Sequence, residues 1–526
     1  MKSLKELAKI IQKNRLEKIE LLGSEGEDSG RISEFYEGLL QGRFSNDDEA
    51  AQHFYRSDRN YSGYQKLKTN TKNTLINHVF FLNENKSNFS NRERAYFKCY
   101  RYWAAAKILL GLYGRGIGVK VAEQVLKQAR NFDFSDIVMD VAKNLRIIYG
   151  THEGNKKRFD EYNELYKYYQ QVNYYEDLAE EYYTDLSMGL VNEKGADQLR
   201  HEKAMQYYAE LEVVMKKYPA YRLHLSGNLI RMMVHTSVND YESTIKICKE
   251  AIRFFERKKY AARMPLQIFY YQLIVCHTQL KQYAAGKKAS EKCLALLDEG
   301  SFNWFKYQEL YFILSTHTQN YQQAYRVFLK TVNHRHFEKL PESLKEIWKI
   351  FEAFLQALYH LDKVKEEAGD DHLSKFRYGR FINATPRMNK DKRGMNIPIL
   401  IAQILTLIIH RKYTEAIERI EAIEKYCSRY LTKDDTYRSN CFIKMLLQIP
   451  ANNFHRAAVE RKAGRYLKKL ELVPLDMAKQ YHEIEIIPYE ELWDMLIGSL
   501  DSTIHKVKSR KKKNQLRHRS AGQIST

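Results

Sequence analysis

Apolar residues along most of this chain recur every three or four positions, the period of a helix with one buried face. Leu4, Leu7, Ile11, Ile19 and Leu22 trace such a stripe over residues 1–22. Later stretches such as IFYYQLIVCHTQL, ELYFILSTHTQ and ILIAQILTLIIH are apolar helices of about a dozen residues, each followed by a short polar turn and a second amphipathic segment. The expected fold is all-α. Its parts are an amphipathic N-terminal helix at 1–22, a flexible acidic linker (GSEGEDSG) at 23–30, a helical region at 31–190, helical repeats at 191–500 and a disordered basic tail at 501–526. The first helix reads as an ordinary capping helix; a detachable or membrane-surface helix is the alternative, since Lys2, Lys5, Lys9 and Lys13 flank its apolar stripe. Asn46-Asp47-Asp48-Glu49 has capping-box spacing, which starts a helix running to about Arg56. A turn at 57–62 and a helix through Tyr64, Leu67, Leu75, Val79 and Leu82 follow.

Four segments repeat one design: NDYESTIKICKEAI at 239–252, KQYAAGKKASEKCL at 281–294, QNYQQAYRVFLKTV at 319–332 and RKYTEAIERIEAI at 411–423. In each, a tyrosine (Tyr241, Tyr283, Tyr321, Tyr413) follows the polar turn, and a small side chain (Thr244, Gly286, Ala324, Ala416) comes three residues later. The small residue lets the two helices of a hairpin approach closely, and the ring caps their contact. Each hairpin then leaves an apolar face that the next one covers.

On these residues the chain resembles the tetratricopeptide repeat family over roughly 200–430. The resemblance implies stacked helix pairs in an α-solenoid that presents a surface to protein partners. Two features depart from the family: Met232, Ile274, Phe312 and Ile404 stand where it places a small residue in the first helix, and the proline that closes a unit is missing. No ligand-clamp residue is carried over.

Composition supports helices. Eight prolines and 23 glycines in 526 residues lie below the usual ~5% and ~7%, too few breakers for a sandwich or barrel of many short strands. Six cysteines (Cys99, Cys248, Cys276, Cys293, Cys427, Cys441) form no CxxC pair and read as reduced core thiols, so a cytoplasmic location is expected. The longest apolar run, from Ile397 to Ile409, is too short to span a bilayer. Residues 1–22 hold no uninterrupted apolar stretch, so no secretory signal is expected there.

The net charge of +21 is concentrated. Residues 502–526 carry eight Lys or Arg and no acid, residues 55–120 a net +10, and residues 372–395 a net +6. Such clusters bear on partners. Arg56, Arg59, Lys66, Lys68 and Lys72 interleave with Tyr61 and Tyr64, and Arg92 and Arg94 precede Tyr96 and Tyr100. With Lys511, Lys512 and Lys513 of the tail, they are the candidate nucleic-acid contacts, because cations neutralise phosphates and rings stack on bases.

Catalytic signatures are missing. GLYGRGIG at 111–118 follows no strand and meets neither dinucleotide nor P-loop fingerprints, so it reads as a turn between helices. His152-Glu153 and His482-Glu483 do not continue as HExxH. His235, His277 and His317 recur about 40 residues apart, but adjacent helices lie ~10 Å apart, too far to share one zinc at ~2.1 Å. No catalytic residue, cofactor, metal or small-molecule substrate is expected. The expected function is a non-enzymatic protein-interaction scaffold or adaptor, with a nucleic-acid-binding regulator as the alternative.

Overall fold

The computed structural model describes residues 1–13, 27–80, 90–192, 197–367, 369–377, 379, 381, 396–430, 437–473 and 485–501. Among them every regular element is helical and no strand occurs. The first eight α-helices are α1 (Lys2–Lys13), α2 (Glu27–Gln41), α3 (Asp47–Tyr55), α4 (Ser62–Val79), α5 (Asn91–Gly111), α6 (Arg115–Asn131), α7 (Ser135–Thr151) and the long α8 (Lys156–Asn192). Then come α9 (Asp197–Lys217), α10 (Tyr221–Thr236), α11 (Tyr241–Glu256), α12 (Arg263–Gln279), α13 (Tyr283–Ala295), α14 (Phe302–His317), α15 (Tyr321–Val332) and α16 (Glu342–His360). The last five are α17 (Asn396–Ile409), α18 (Tyr413–Tyr430), α19 (Tyr437–Ala451), α20 (Arg456–Glu471) and α21 (Tyr489–Gly498).

Packing divides the chain into two compact units, Met1–Tyr175 with Lys259–Ala261, and Glu176–Lys258 with Ala262–Thr526. The division falls inside α8, fifteen residues before the 190/191 boundary read from the sequence.

The first unit holds two cores. In one, Leu4, Ala8 and Ile11 of α1 join Phe35, Leu39, Phe44, Tyr64 and Leu75, so α1 is docked in the fold. It packs on α2 and α4, because its apolar stripe finds an apolar stripe there. The expected linker is also shorter than 23–30, since residues 27–30 already belong to α2. Glu27 and Asp28 are residue types that a helix N-terminus favours, which is why acidity alone misread them; residues 14–26 lie outside the described residues. Asn46 caps α3 as expected, its Oδ1 accepting the Glu49 N–H at 3.0 Å while Glu49 accepts the Ser45 N–H. The second core gathers Cys99, Trp103 and Ala106 of α5 with Ala122 and Val125 of α6, Val138, Val141 and Leu145 of α7 and Tyr162 of α8.

In the second unit, consecutive helices from α9 to α16 pack in succession, and α12 also meets α14. α17 packs on α16 and α18, and α20 on α19. The chain then doubles back, with α21 lying on α17, α19 and α20.

One turn recurs through both units. Tyr113, Asp133, Asn239, Lys281, Gln319 and Arg411 all adopt the left-handed conformation. The residue after each donates its N–H to the carbonyl five positions back, as in Gly114 to Leu109, Phe134 to Ala129, Asp240 to His235 and Asn320 to Ser315. This is the Schellman closure, which satisfies carbonyls that a helix end leaves open. A new helix starts at the following residue, and the residue three positions on is buried: Gly118, Val138, Thr244, Gly286, Ala324 and Ala416. The backbone closure of the four segments read in the sequence therefore recurs in six hairpins. GLYGRGIG is the first of them, the turn joining α5 to α6.

Candidate functional site

The tyrosines of the repeat do not share one environment. Tyr321 and Tyr413 are buried, while Tyr241 and Tyr283 are half-buried. Gly286 shows what the small residue is for. A Cβ there would lie 2.7 Å from Leu314 Cδ1 of α14 and 3.2 Å from His277 Cβ of α12. The close approach thus serves the next hairpin as well as its own, which local spacing alone does not reveal. At Gly118 the nearest neighbour is Leu110 of the same hairpin, at 2.9 Å.

The three recurrent histidines are not equivalent. His235 and His277 both sit five residues before the closing N–H of their turn, and each ring bonds the side chain of that closing residue, Asp240 at 3.0 Å and Gln282 at 2.8 Å. His317 lies two positions later in its repeat, where Ser315 takes the equivalent place. Its Nε2 instead meets the Glu485 carbonyl. The imidazoles thus lock turns, and among the described residues no group of His, Cys, Asp or Glu is placed to hold a metal ion. Cys99, Cys276 and Cys293 are buried and pushed up to about 12 by burial. They are protonated thiols without nucleophilic character at neutral pH.

No sequence signal marks the segment that covers the turns of the second unit. Residues 485–488 run buried against the end of α14, where Thr316 Oγ1 bonds the Ile486 carbonyl and His317 the Glu485 carbonyl. Arg438, 1% exposed, donates to Glu485 Oε2 at 3.1 Å and Oε1 at 2.7 Å, to Glu490 at 2.7 Å, and to the Val473 and Leu470 carbonyls. Burial pushes the Glu485 carboxyl up; Arg438 and the Tyr489 N–H pull the other way. Glu491 of α21 then accepts the Tyr321 hydroxyl at 2.6 Å, with Lys281 Nζ at 3.9 Å, and Asp501 pairs with Arg411 at 3.7 Å. Three repeat turns are thereby tied to residues 485–501.

The α5–α6 turn has no such cover among the described residues. Leu112 is 72% and Tyr113 89% exposed, with Ile117 beyond them exposed as well. Behind them Ile108, Ala105 and Phe97 continue an exposed line along α5 at helical spacing, with Arg101 set into it.

The candidate nucleic-acid contacts are divided. Arg56, Arg59, Lys66 and Lys72 are exposed on the α3–α4 segment. Lys68 is held by Asp47 at 2.7 Å, and Tyr64 is a core residue whose hydroxyl bonds the same carboxylate. Arg92 lies over the Phe134 ring at 4.7 Å, with Nε 3.1 Å from the Phe132 carbonyl, so it closes the α6–α7 turn. Arg94 bonds Asn91. The two groups stand on helices of different cores. Lys511, Lys512 and Lys513 lie outside the described residues. A shallow recess beside α3 is lined by Asp48, Glu49 and Asp58, but Glu49 is spent on the cap and Asp48 accepts the Arg59 N–H.

No described helix is long and apolar enough to cross a membrane. Neither a protein-family model, a curated protein nor a solved structure matches the chain.

Proposed function

We propose that this chain is a non-enzymatic interaction scaffold whose hairpins between about 200 and 500 stack as a divergent tetratricopeptide-like solenoid. The observation that carries the binding role is the exposed apolar cluster of Ile108, Leu112, Tyr113 and Ile117 at the α5–α6 turn. Single exposed apolar residues are ordinary on a protein surface, whereas a contiguous run of large ones marks an interaction site. Tyr113 adds to this. A left-handed turn position favours glycine, and an exposed ring there contributes nothing to packing. With the exposed Arg115 beside the cluster, the fitting partner is a protein helix with its own apolar stripe and an acidic flank.

The test is affinity capture of the full-length protein alongside a Leu112→Asp/Ile117→Asp variant whose helical circular dichroism and melting are unchanged. One stoichiometric protein partner should be captured by the parent and lost with the variant. Equal capture by both, or recovery of nucleic acid alone, overturns the reading.

A further inference from the structure

α4 carries a row of polar side chains that the fold does not use. Its inner side, Tyr64, Leu67, Thr71, Leu75 and His78, is buried. Tyr64 and Lys68 both bind Asp47 of α3, at 2.6 and 2.7 Å, which fixes the helix against its neighbour. On the opposite side positions 69, 73 and 77 recur every four residues and so stand in line. Thr69, Asn73 and Asn77 are all exposed there, and none of their side chains bonds a described residue. Gln65, one turn earlier, is already engaged, its amide donating to the Arg59 carbonyl.

The charge around this row has one sign. α4 contains no Asp or Glu. Lys72, three residues after Thr69, is exposed, as are Arg56 and Arg59 in the turn that precedes the helix. None of these three cations is in an ion pair with a described carboxylate. The acids of the α3 corner are turned to backbone: Asp48 accepts the Arg59 N–H at 3.1 Å, Asp58 the Asn60 N–H at 2.7 Å and Glu49 the Ser45 N–H at 2.7 Å.

We propose that α4 reads double-stranded DNA from the major groove, with Thr69, Asn73 and Asn77 on base edges and Arg56, Arg59 and Lys72 on the flanking phosphates. A B-form major groove admits one α-helix, an asparagine amide pairs bidentately with adenine, and a threonine methyl fits the thymine methyl. The row spans ~12 Å at 1.5 Å per residue, the height of about three to four base pairs at 3.4 Å each. Unspent amides supply the choice of sequence, and the cations supply affinity by releasing condensed counterions. Double-stranded RNA is the poorer fit, because its major groove is too deep and narrow for side chains to read. An anionic membrane needs an apolar stripe along the helix, whereas the exposed Ile76, Val79 and Phe80 are confined to the end of α4. The DNA site and the α5–α6 protein site share no residue, so each can fail without the other.

The test gives the full-length protein a pool of 24-base-pair DNA duplexes randomised over the central twelve positions. Repeated capture should enrich one motif containing A·T pairs. Anisotropy with a fluorescein-labelled copy should show that motif bound at least roughly tenfold more tightly than a scrambled duplex. Asn73→Ala and Asn77→Ala, with helical circular dichroism unchanged, should each shrink that ratio roughly fivefold or more, the low end of what a bidentate base contact contributes. Arg56→Gln/Arg59→Gln/Lys72→Gln should instead weaken binding to both duplexes alike, with log affinity against log salt shallower by roughly 0.9 for each phosphate lost. A pool that enriches nothing, or a ratio untouched by the asparagine variants, overturns the proposal. So does an unchanged salt slope in the triple variant, or tighter binding to an RNA duplex or phosphatidylserine vesicles than to DNA.

Discussion

The turn after α5 and the turn after α14 have the same backbone. Gln319 and Tyr113 are both left-handed, each is closed by an N–H bonded five residues back, and each is followed by a buried small residue. Their surroundings differ entirely. The α14–α15 turn lies beneath residues 485–491, with Tyr321 fastened to Glu491. At the α5–α6 turn Leu112, Tyr113 and Ile117 stand exposed. The local sequence therefore specifies the hairpin, while a distant segment decides whether its end is core or surface.

The strongest way to break this contrast is to release the cover. Arg438→Met removes the cation that compensates Glu485, which is fully buried. Removing one partner of a buried ion pair costs about 3–5 kcal/mol. The expected result is a loss of that size from the second unit's unfolding free energy in a urea titration. Arg438→Met with Glu485→Leu should recover much of it, since no uncompensated charge is then left behind. Equal loss in the single and double variants would mean that the pair matters through shape rather than charge.

Packing beneath the covered turns comes next. A side chain larger than methyl at Gly286 has nowhere to go, with Leu314 and His277 already within 3.2 Å of its first carbon. Gly286→Leu is expected to destabilise by about 1–3 kcal/mol, the cost of overpacking a core. At Gly116, beside the uncovered turn, a Cβ meets nothing within 4 Å. Gly116→Ala should instead stabilise by up to ~1 kcal/mol through helix propensity. Thermal melts of the two variants therefore move in opposite directions, and parallel shifts would erase the distinction between the turns.

These differences mark how far the sequence could be read. All-α composition, the α3 cap and four of the six hairpins were legible, because each depends on residues within one or two helical turns. The hairpins at Tyr113 and Asp133 escaped notice because Arg115 and Ser135 replace the tyrosine that flagged the others, and Val138 replaces the small residue in the second; what persists is the left-handed residue and the N–H closure behind it. Nothing local could show that residues 485–501 return to turns some 90 to 210 positions earlier, since such pairing is fixed only by tertiary packing. The candidate contacts Lys68 and Arg92 show a second kind of nonlocal pairing. Charge type suggested solvent, and the fold uses both internally.

A subtler measurement weighs one fastening against none. Tyr321→Phe keeps the ring under its cover but removes the donor to Glu491, whose side chain is 12% exposed. A hydrogen bond to a charged group is worth roughly 1.5–3 kcal/mol, and Lys281 at 3.9 Å remains to compensate, so a loss at or below the low end is expected in the same titration. Tyr113→Gly sets the other limit. Its ring is 89% exposed and its backbone already left-handed at φ 63°, a conformation that glycine adopts without penalty. Stability should hold or rise by up to ~1 kcal/mol, while capture of the protein partner weakens. If instead the melt falls with Tyr113→Gly, the ring is part of the fold, and the uncovered turn is no more a binding surface than the covered one.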